Sequence, residues 1–190
     1  MNMPLSPLAT LPLILKPFPG SHAPDRVALS AAAERLEHGR LRLSWRLVGR
    51  VEALLLPEVP DGSEPSKRRD GLWQHTCFEA FLAPVGETAY WELNLAPSGD
   101  WNLYRFDGYR QGQRPEIEPN NQMLTRRSGP GLLDVIWELP LPPELAAASG
   151  LELAITAVLQ ESDGACSYWA LAHCGAEPDF HRRESFVLSL

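Results

Sequence analysis

Residues 90–110 read YWELNLAPSGDWNLYRFDGYR, two alternating runs separated by a turn. In the first run Trp91, Leu93 and Leu95 share one face of an extended chain, and Tyr90, Glu92 and Asn94 share the other. PSGD, residues 97–100, carries the Pro and Gly chemistry of a tight reversal. In the second run Trp101 and Leu103 continue the apolar face, and Asn102, Tyr104 and Phe106 continue the polar one. Upstream, TCFEAFL at 76–82 alternates in the same way, and Gly86 supplies a turn between it and residue 90. The expected register places Glu79 opposite Glu92, Phe78 near Leu93 and Ala80 near Trp91, since a slip by one residue would bring carboxylates into the core. Three antiparallel strands would then show one face to a core and one face of carboxylates, amides and aromatic rings to something else.

Outward from this unit, prolines and glycines punctuate apolar runs every few residues, as in an all-β chain. Further strands are expected at Leu11–Leu15, Val27–Ala31, Arg40–Val48, Ala53–Leu56, Leu132–Glu138, Leu151–Leu159, Ser167–Ala172 and Glu184–Leu190. Alternation is clearest in LRLSWRLVG, where Leu41, Leu43, Trp45 and Leu47 share a face. Helical turns are expected only at Ala31–Arg35 and Pro142–Ala148, and residues 112–131 read as a long polar loop, with IEPNNQML as the place for a short strand. The fold class is all-β, an antiparallel β-sandwich or jelly-roll with one or two short helical turns, in one domain over residues 1–190.

The chain has 190 residues and a formal net charge of -7. That balance argues against nucleic acid or an anionic membrane as partner, and no apolar run reaches membrane-spanning length. The pairs Arg68/Arg69, Arg126/Arg127 and Arg182/Arg183 read as solvated loop charges. Three cysteines, Cys77, Cys166 and Cys174, make a poor disulfide framework and suit a reducing compartment, so a cytoplasmic location is expected. The opening MNMPLSPLATLPLILKPFPGSHA lacks a basic n-region and is broken by Pro12, Lys16 and Pro17, unlike a signal peptide.

The polar face is dense in aromatic residues between Trp73 and Tyr109, which favours a binding surface over a solvated one. Sugar rings stack on such side chains while Glu, Asn, Asp and Arg answer the hydroxyls. A hydrolase would use Glu79 and Glu92 as acid and base, although an Arg105 or Arg69 bridge between them is the ordinary alternative, and GxSxG, HExxH and P-loop signatures are absent. The close donor pairs, His75 with Cys77, His173 with Cys174 and Asp179 with His181, match no structural zinc spacing, and the last is expected to form a His–carboxylate hydrogen bond.

RDGLWQHTCFEAFL, YWELNLAPSGDWNLYRFDGYR, SYWALAHCGAEPDFH and the closing SFVLSL together resemble the DOMON-like domains, a bacterial family related to the family 9 carbohydrate-binding modules. The resemblance extends over nearly the whole chain. It implies a β-sandwich of jelly-roll type whose relatives bind sugars or haem. The matching positions are Arg69, Trp73, Thr76, Glu79, Phe81, Glu92, Asn94, Pro97, Ser98, Trp101, Tyr104, Phe106, Tyr109, Arg110, Trp169, His173, Pro178, Asp179, Phe180 and His181. From these and the face assignment, the expected ligand-binding residues are Trp73, Glu79, Glu92, Asn94, Trp101, Tyr104, Tyr109, His173, Asp179 and His181. The expected ligand is a small sugar-like molecule, bound without catalysis, cofactor or metal. Haem and electron transfer form an alternative: with no CxxCH and only Met123 as an internal methionine, it would need bis-histidine ligation from His75, His173 and His181.

Overall fold

The computed structural model describes residues 12–24, 26–57 and 66–190. Residues 1–11 of the signal-peptide stretch, among them Leu11 of the first expected strand, lie outside them. The described strands are β1 (Leu13–Pro17), β2 (Val27–Leu36), β3 (Arg40–Gly49), β4 (Cys77–Pro84), β5 (Tyr90–Leu95), β6 (Trp101–Phe106), β7 (Arg114–Pro115), β8 (Met123–Gly129), β9 (Leu132–Pro140), β10 (Leu151–Gln160), β11 (Cys166–Ala170) and β12 (Leu188–Ser189), with one helix, α1 (Pro143–Ala147). The chain is all-β, and every pairing between these strands is antiparallel.

The strand order is β7-β6-β5-β4-β10-β11-β1-β2-β3-β9-β8, with β12 beside β10. β1 is the corner. Its Leu13–Leu15 pair with β2 and its Lys16 and Pro17 pair with β11, so one strand joins two layers of a β-sandwich. Leu41, Leu43, Trp45 and Leu47 of β3 face inward as their alternation requires and meet Phe78, Ala80 and Leu82 of β4, Trp91, Leu93 and Leu95 of β5, and Ile155 of β10. Trp45 packs on Phe78 at 5.3 Å between ring centroids and donates its indole N–H to the Thr156 carbonyl at 3.1 Å, which ties the layers together.

The second layer is buried on both faces. The alternate residues Phe81, Ala83, Tyr90, Tyr104, Phe106, Ala154, Val158 and Ala170 form a smaller apolar cluster on its outside, closed by Phe180 and Phe186 from the segment after β11. The face expected to stay open is therefore roofed over.

Several expectations change. β4 and β5 are offset by two residues from the expected register: Glu79 pairs with Asn94 and Phe81 with Glu92. Alternation survives this offset because it preserves the face of every side chain. Ala31–Arg35 is not helical but the far half of β2, paired residue for residue with β3. Residues 53–56 form no strand; a 3-10 turn at Val51–Ala53 leads into a single bridge from Leu54 to Glu161. The polar stretch 112–131 contains β7 and the whole of β8, the latter hairpinned onto β9. Glu184 and Ser185 belong to a 3-10 turn before the short β12.

The basic pairs are not simply solvated. Arg68 lies 4.6 Å over the Trp101 ring and donates to the Glu116 carbonyl at 2.7 Å, Arg69 pairs with Asp100 at 2.7 Å, and Arg183 pairs with Glu152. Gly99 in the PSGD turn has φ of +100° and accepts the reversal that a side chain would resist. All three cysteines are free thiols, and no described helix is long and apolar enough to cross a membrane.

Candidate functional site

A cavity of about 460 Å³ opens on the outer side of the second layer. Strands make its floor: Glu79 and Phe81 from β4, Glu92 from β5, Phe106 from β6, Val158 from β10 and Tyr168 from β11. Period-2 alternation delivers all of them, since each is one of the residues that the inner core does not take. Three loops make its walls. Trp73 and Gln74 come from the 3-10 turn at Leu72–Gln74, Arg110 and Gln113 from the segment after β6, and Pro178, Asp179, Phe180 and His181 from the segment after β11.

The carboxyls are the unusual feature. Because Glu79 opposes Asn94 and Glu92 opposes Phe81, the two acids are diagonal neighbours, about 7–8 Å apart at the backbone. Glu79 is only 3% exposed, and its Oε1 has no hydrogen-bond partner. Thr156, directly across from it on β10, also leaves its hydroxyl unpartnered. Burial pushes the Glu79 carboxyl well above the usual carboxylate range, and the neighbouring Glu92 pushes it further. Burial likewise raises Glu92 to about 7, opposed by a 2.7 Å hydrogen bond from Asn94 Nδ2 and by the Arg110 charge.

His181 is held neutral. Burial and then the Arg110 charge lower it to about 4, against the pull of Asp179. The Tyr90 hydroxyl accepts the Arg110 backbone N–H at 3.1 Å and shares a second hydrogen bond with His181 Nδ1 at 2.8 Å. Nε2 faces Glu92 Oε2 at 3.8 Å, too far for a hydrogen bond. Arg110, whose φ is +53°, donates to Asp179 at 2.9 Å, and the Tyr109 hydroxyl donates to the same carboxylate at 2.5 Å. Despite burial, these bonds keep Asp179 below its ordinary value.

Of the expected binding residues, Trp73, Glu79, Glu92, Asp179 and His181 line the cavity. Asn94 and Tyr104 lie behind it: Asn94 is fully buried, and Tyr104 donates to Asp70 at 2.5 Å while its ring meets the edge of Trp73. Tyr109 is exposed and acts through Asp179. Trp101 belongs to the inner core under Arg68, because it takes the inward phase of β6. His173 is elsewhere, on the Lys16 carbonyl. His75 bonds Gln160, so His181 is the one histidine in the lining. The expected Asp179–His181 side-chain bond is absent; Asp179 Oδ1 instead accepts the His181 backbone N–H. Neither Arg69 nor Arg105 bridges the two glutamates, since Arg105 pairs with Glu144 at 2.9 Å. No metal-binding group of three or more donors occurs among the described residues.

The expected set lacked Phe81, Phe106, Val158, Tyr168 and Arg110. Phase reaches Phe81 and Phe106, each two residues from an outer-face residue, Glu79 and Tyr104, whereas Val158 and Tyr168 lie on β10 and β11, where no residue had been assigned to that face. Gln74 and Gln113 carry no sequence signal that separates them from other loop amides.

No protein-family model matches the chain, and no curated protein does. Among solved structures, it is similar to one from Bacteroides uniformis described as a "putative carbohydrate-binding protein", with a TM-score of 0.58 and 12% identity over 90% of this chain and 83% of the other. A family 9 carbohydrate-binding module from Caldicellulosiruptor kristjanssonii, solved with glucose, aligns at a TM-score of 0.43 and 10% identity over 78% of this chain and 69% of that one. The first of these likenesses shows a common fold.

Proposed function

We propose that this protein is a binding module for a small, hydroxyl-rich ligand of the carbohydrate class, held in the cavity without being chemically changed. The observation that carries this reading is the cavity itself, with aromatic walls and a buried carboxyl whose oxygen lacks a partner. Its volume falls in the range of about 300–1,000 Å³ common to small-molecule sites. Trp73, 38% exposed, offers a ring at the mouth for a sugar's C–H face, while Glu79, Glu92 and Gln113 supply donors and acceptors inside. The description of the Bacteroides uniformis structure points the same way. The narrower placement, a DOMON-like domain of jelly-roll type in the cytoplasm, belongs to this proposal.

Isothermal titration calorimetry with mono- and disaccharides tests it. One class of sugar should bind, and Trp73→Ala should weaken it about tenfold, the roughly 1.4 kcal/mol of a stacked aromatic contact. Absence of saccharide binding up to about 10 mM, the edge of useful affinity, would sink the reading. The glycoside-acting alternative draws on one observation, the diagonal acids with Glu79 pushed well above the usual carboxylate range by burial and Glu92 raised to about 7. Hydrolysis of aryl glycosides that disappears in both Glu79→Gln and Glu92→Gln would replace binding by catalysis. The haem alternative finds one lining histidine in place of the two it needs, and a Soret band on haem titration lost in His181→Ala would reinstate it.

A further inference from the structure

The lining contains more acid than a neutral sugar would use. Asp179 is already matched, by Arg110 at 2.9 Å and by the Tyr109 hydroxyl, while the Arg110 charge reaches Glu92 only through space, without an ion pair. Glu79 and Glu92 remain. Neither is bridged by a side-chain cation, and Glu79 Oε1 is buried at the cavity without a partner. One hydroxyl has a single O–H to give, whereas an ammonium group has three N–H donors and a charge, and so serves two diagonal acids at once. The rest of the lining is aromatic: Phe81, Phe106, Tyr168 and Phe180 surround the acids, and Trp73 stands at the entrance. Ring faces attract a cation that has left water, and carboxylates bond an ammonium more strongly than a neutral donor.

We propose that the cavity takes a ligand bearing a protonated amine, an amino sugar or a polyhydroxy amine of similar size, with the ammonium group seated between Glu79 and Glu92. The inference rests on the cavity being a site for a small polar ligand and names the chemical class within it. In the free protein burial, and after it the neighbouring Glu92, disfavour ionisation of Glu79. An ammonium ion reverses both influences, so its arrival expels a carboxyl proton to solvent. The other charged or titratable groups around Glu79 are Cys77 on its own strand, Glu92 on β5, Tyr168 on β11, and Arg110, Asp179 and His181 from the loops. His181 is neutral and Arg110 is paired with Asp179, which leaves the glutamates as the source of that proton.

Titration of the whole chain with D-glucosamine and with D-glucose, at about pH 6.5 where the amine is protonated, separates the possibilities. Each titration is run in two buffers of different ionisation heat, so that proton release is read directly. Glucosamine should bind at least about tenfold more tightly than glucose and release protons. The ratio between the two sugars should fall near one in both Glu79→Gln and Glu92→Gln, each checked for a parental melting transition; with two variants, one folding failure leaves the other to decide. Equal or tighter glucose binding, or a preference that survives both substitutions, would overturn the amine assignment and leave the sugar site standing. Failure of both sugars to bind at about 10 mM would overturn the site reading with it.

Discussion

Glu92 and His181 face each other across the cavity and pull the stability of the fold in opposite directions as pH changes. The folded-state value of Glu92 is raised to about 7 from 4.5, so its stabilising contribution is complete below about 4.5 and is lost as pH rises through about 7. His181 is lowered to about 4 from 6.5; its contribution is complete above about 6.5 and is lost as pH falls through about 4. Each is on the order of 3 kcal/mol across its window. His181→Asn, which cannot titrate, should therefore lose about 3 kcal/mol less stability than the parent as pH falls from 6.5 to 4, as followed by urea denaturation. Matching profiles would mean that the imidazole is not held neutral. Asn94 gives a second test at this scale. On an open face its removal would cost within about 1 kcal/mol, but it is fully buried and donates to Glu92 at 2.7 Å. Asn94→Ala should instead cost about 1–3 kcal/mol, because the carboxyl loses its donor; a smaller loss in the same denaturation experiment would show water reaching the face.

Among the elements, β8 explains why one strand is hard to read and how it is kept from mispairing. Leu124, Arg126 and Ser128 sit opposite Trp137, Val135 and Leu133 of β9, so Arg126 points toward the core side of an edge strand, and its Nε is buried without a partner. Burial lowers its pKa. An inward charge of this kind blocks the addition of another strand. Arg126→Val should raise the melting temperature of dilute protein and promote concentration-dependent association in light scattering; a variant that stays monomeric would show that the edge is guarded by something else. The same polarity made residues 112–131 resemble a loop, whereas β3 and the β4–β6 unit were legible because half of their side chains enter a core. In β2 the run AAAER lacks the β-branched and aromatic residues of a strand, and local preference favoured a turn of helix. Pairing with β3 from Ala31↔Trp45 to Arg35↔Leu41 decided otherwise.

For the molecule as a whole, strand phase made Glu79 and Glu92 of the lining legible, and the family resemblance carried Trp73, Asp179 and His181 from the loops. Glu79 and Glu92 followed from phase, but phase leaves a register shift of two residues unresolved, which is why Glu79 meets Asn94. The roof was not legible, since nothing local in PDFH announces that Phe180 closes an apolar cluster on β4 and β5. Trp101 was counted with the binding residues for its ring, although its phase already put it on the core face, where it lies. The corner strand has a further consequence, for the order in which the protein assembles. β1 finds β2 after a short loop, but Lys16 and Pro17 must wait for Trp169 and Ala170, near the other end of the described chain. During synthesis the two layers can therefore close only after almost all of these residues have left the ribosome. Until then, the apolar undersides of β3 and β4 lack their full partners, a pattern of distant contacts that slows folding. Pulse-labelled hydrogen exchange during refolding should protect the β2–β3 amides before those of β1 and β11; simultaneous protection would place the corner in the folding nucleus instead.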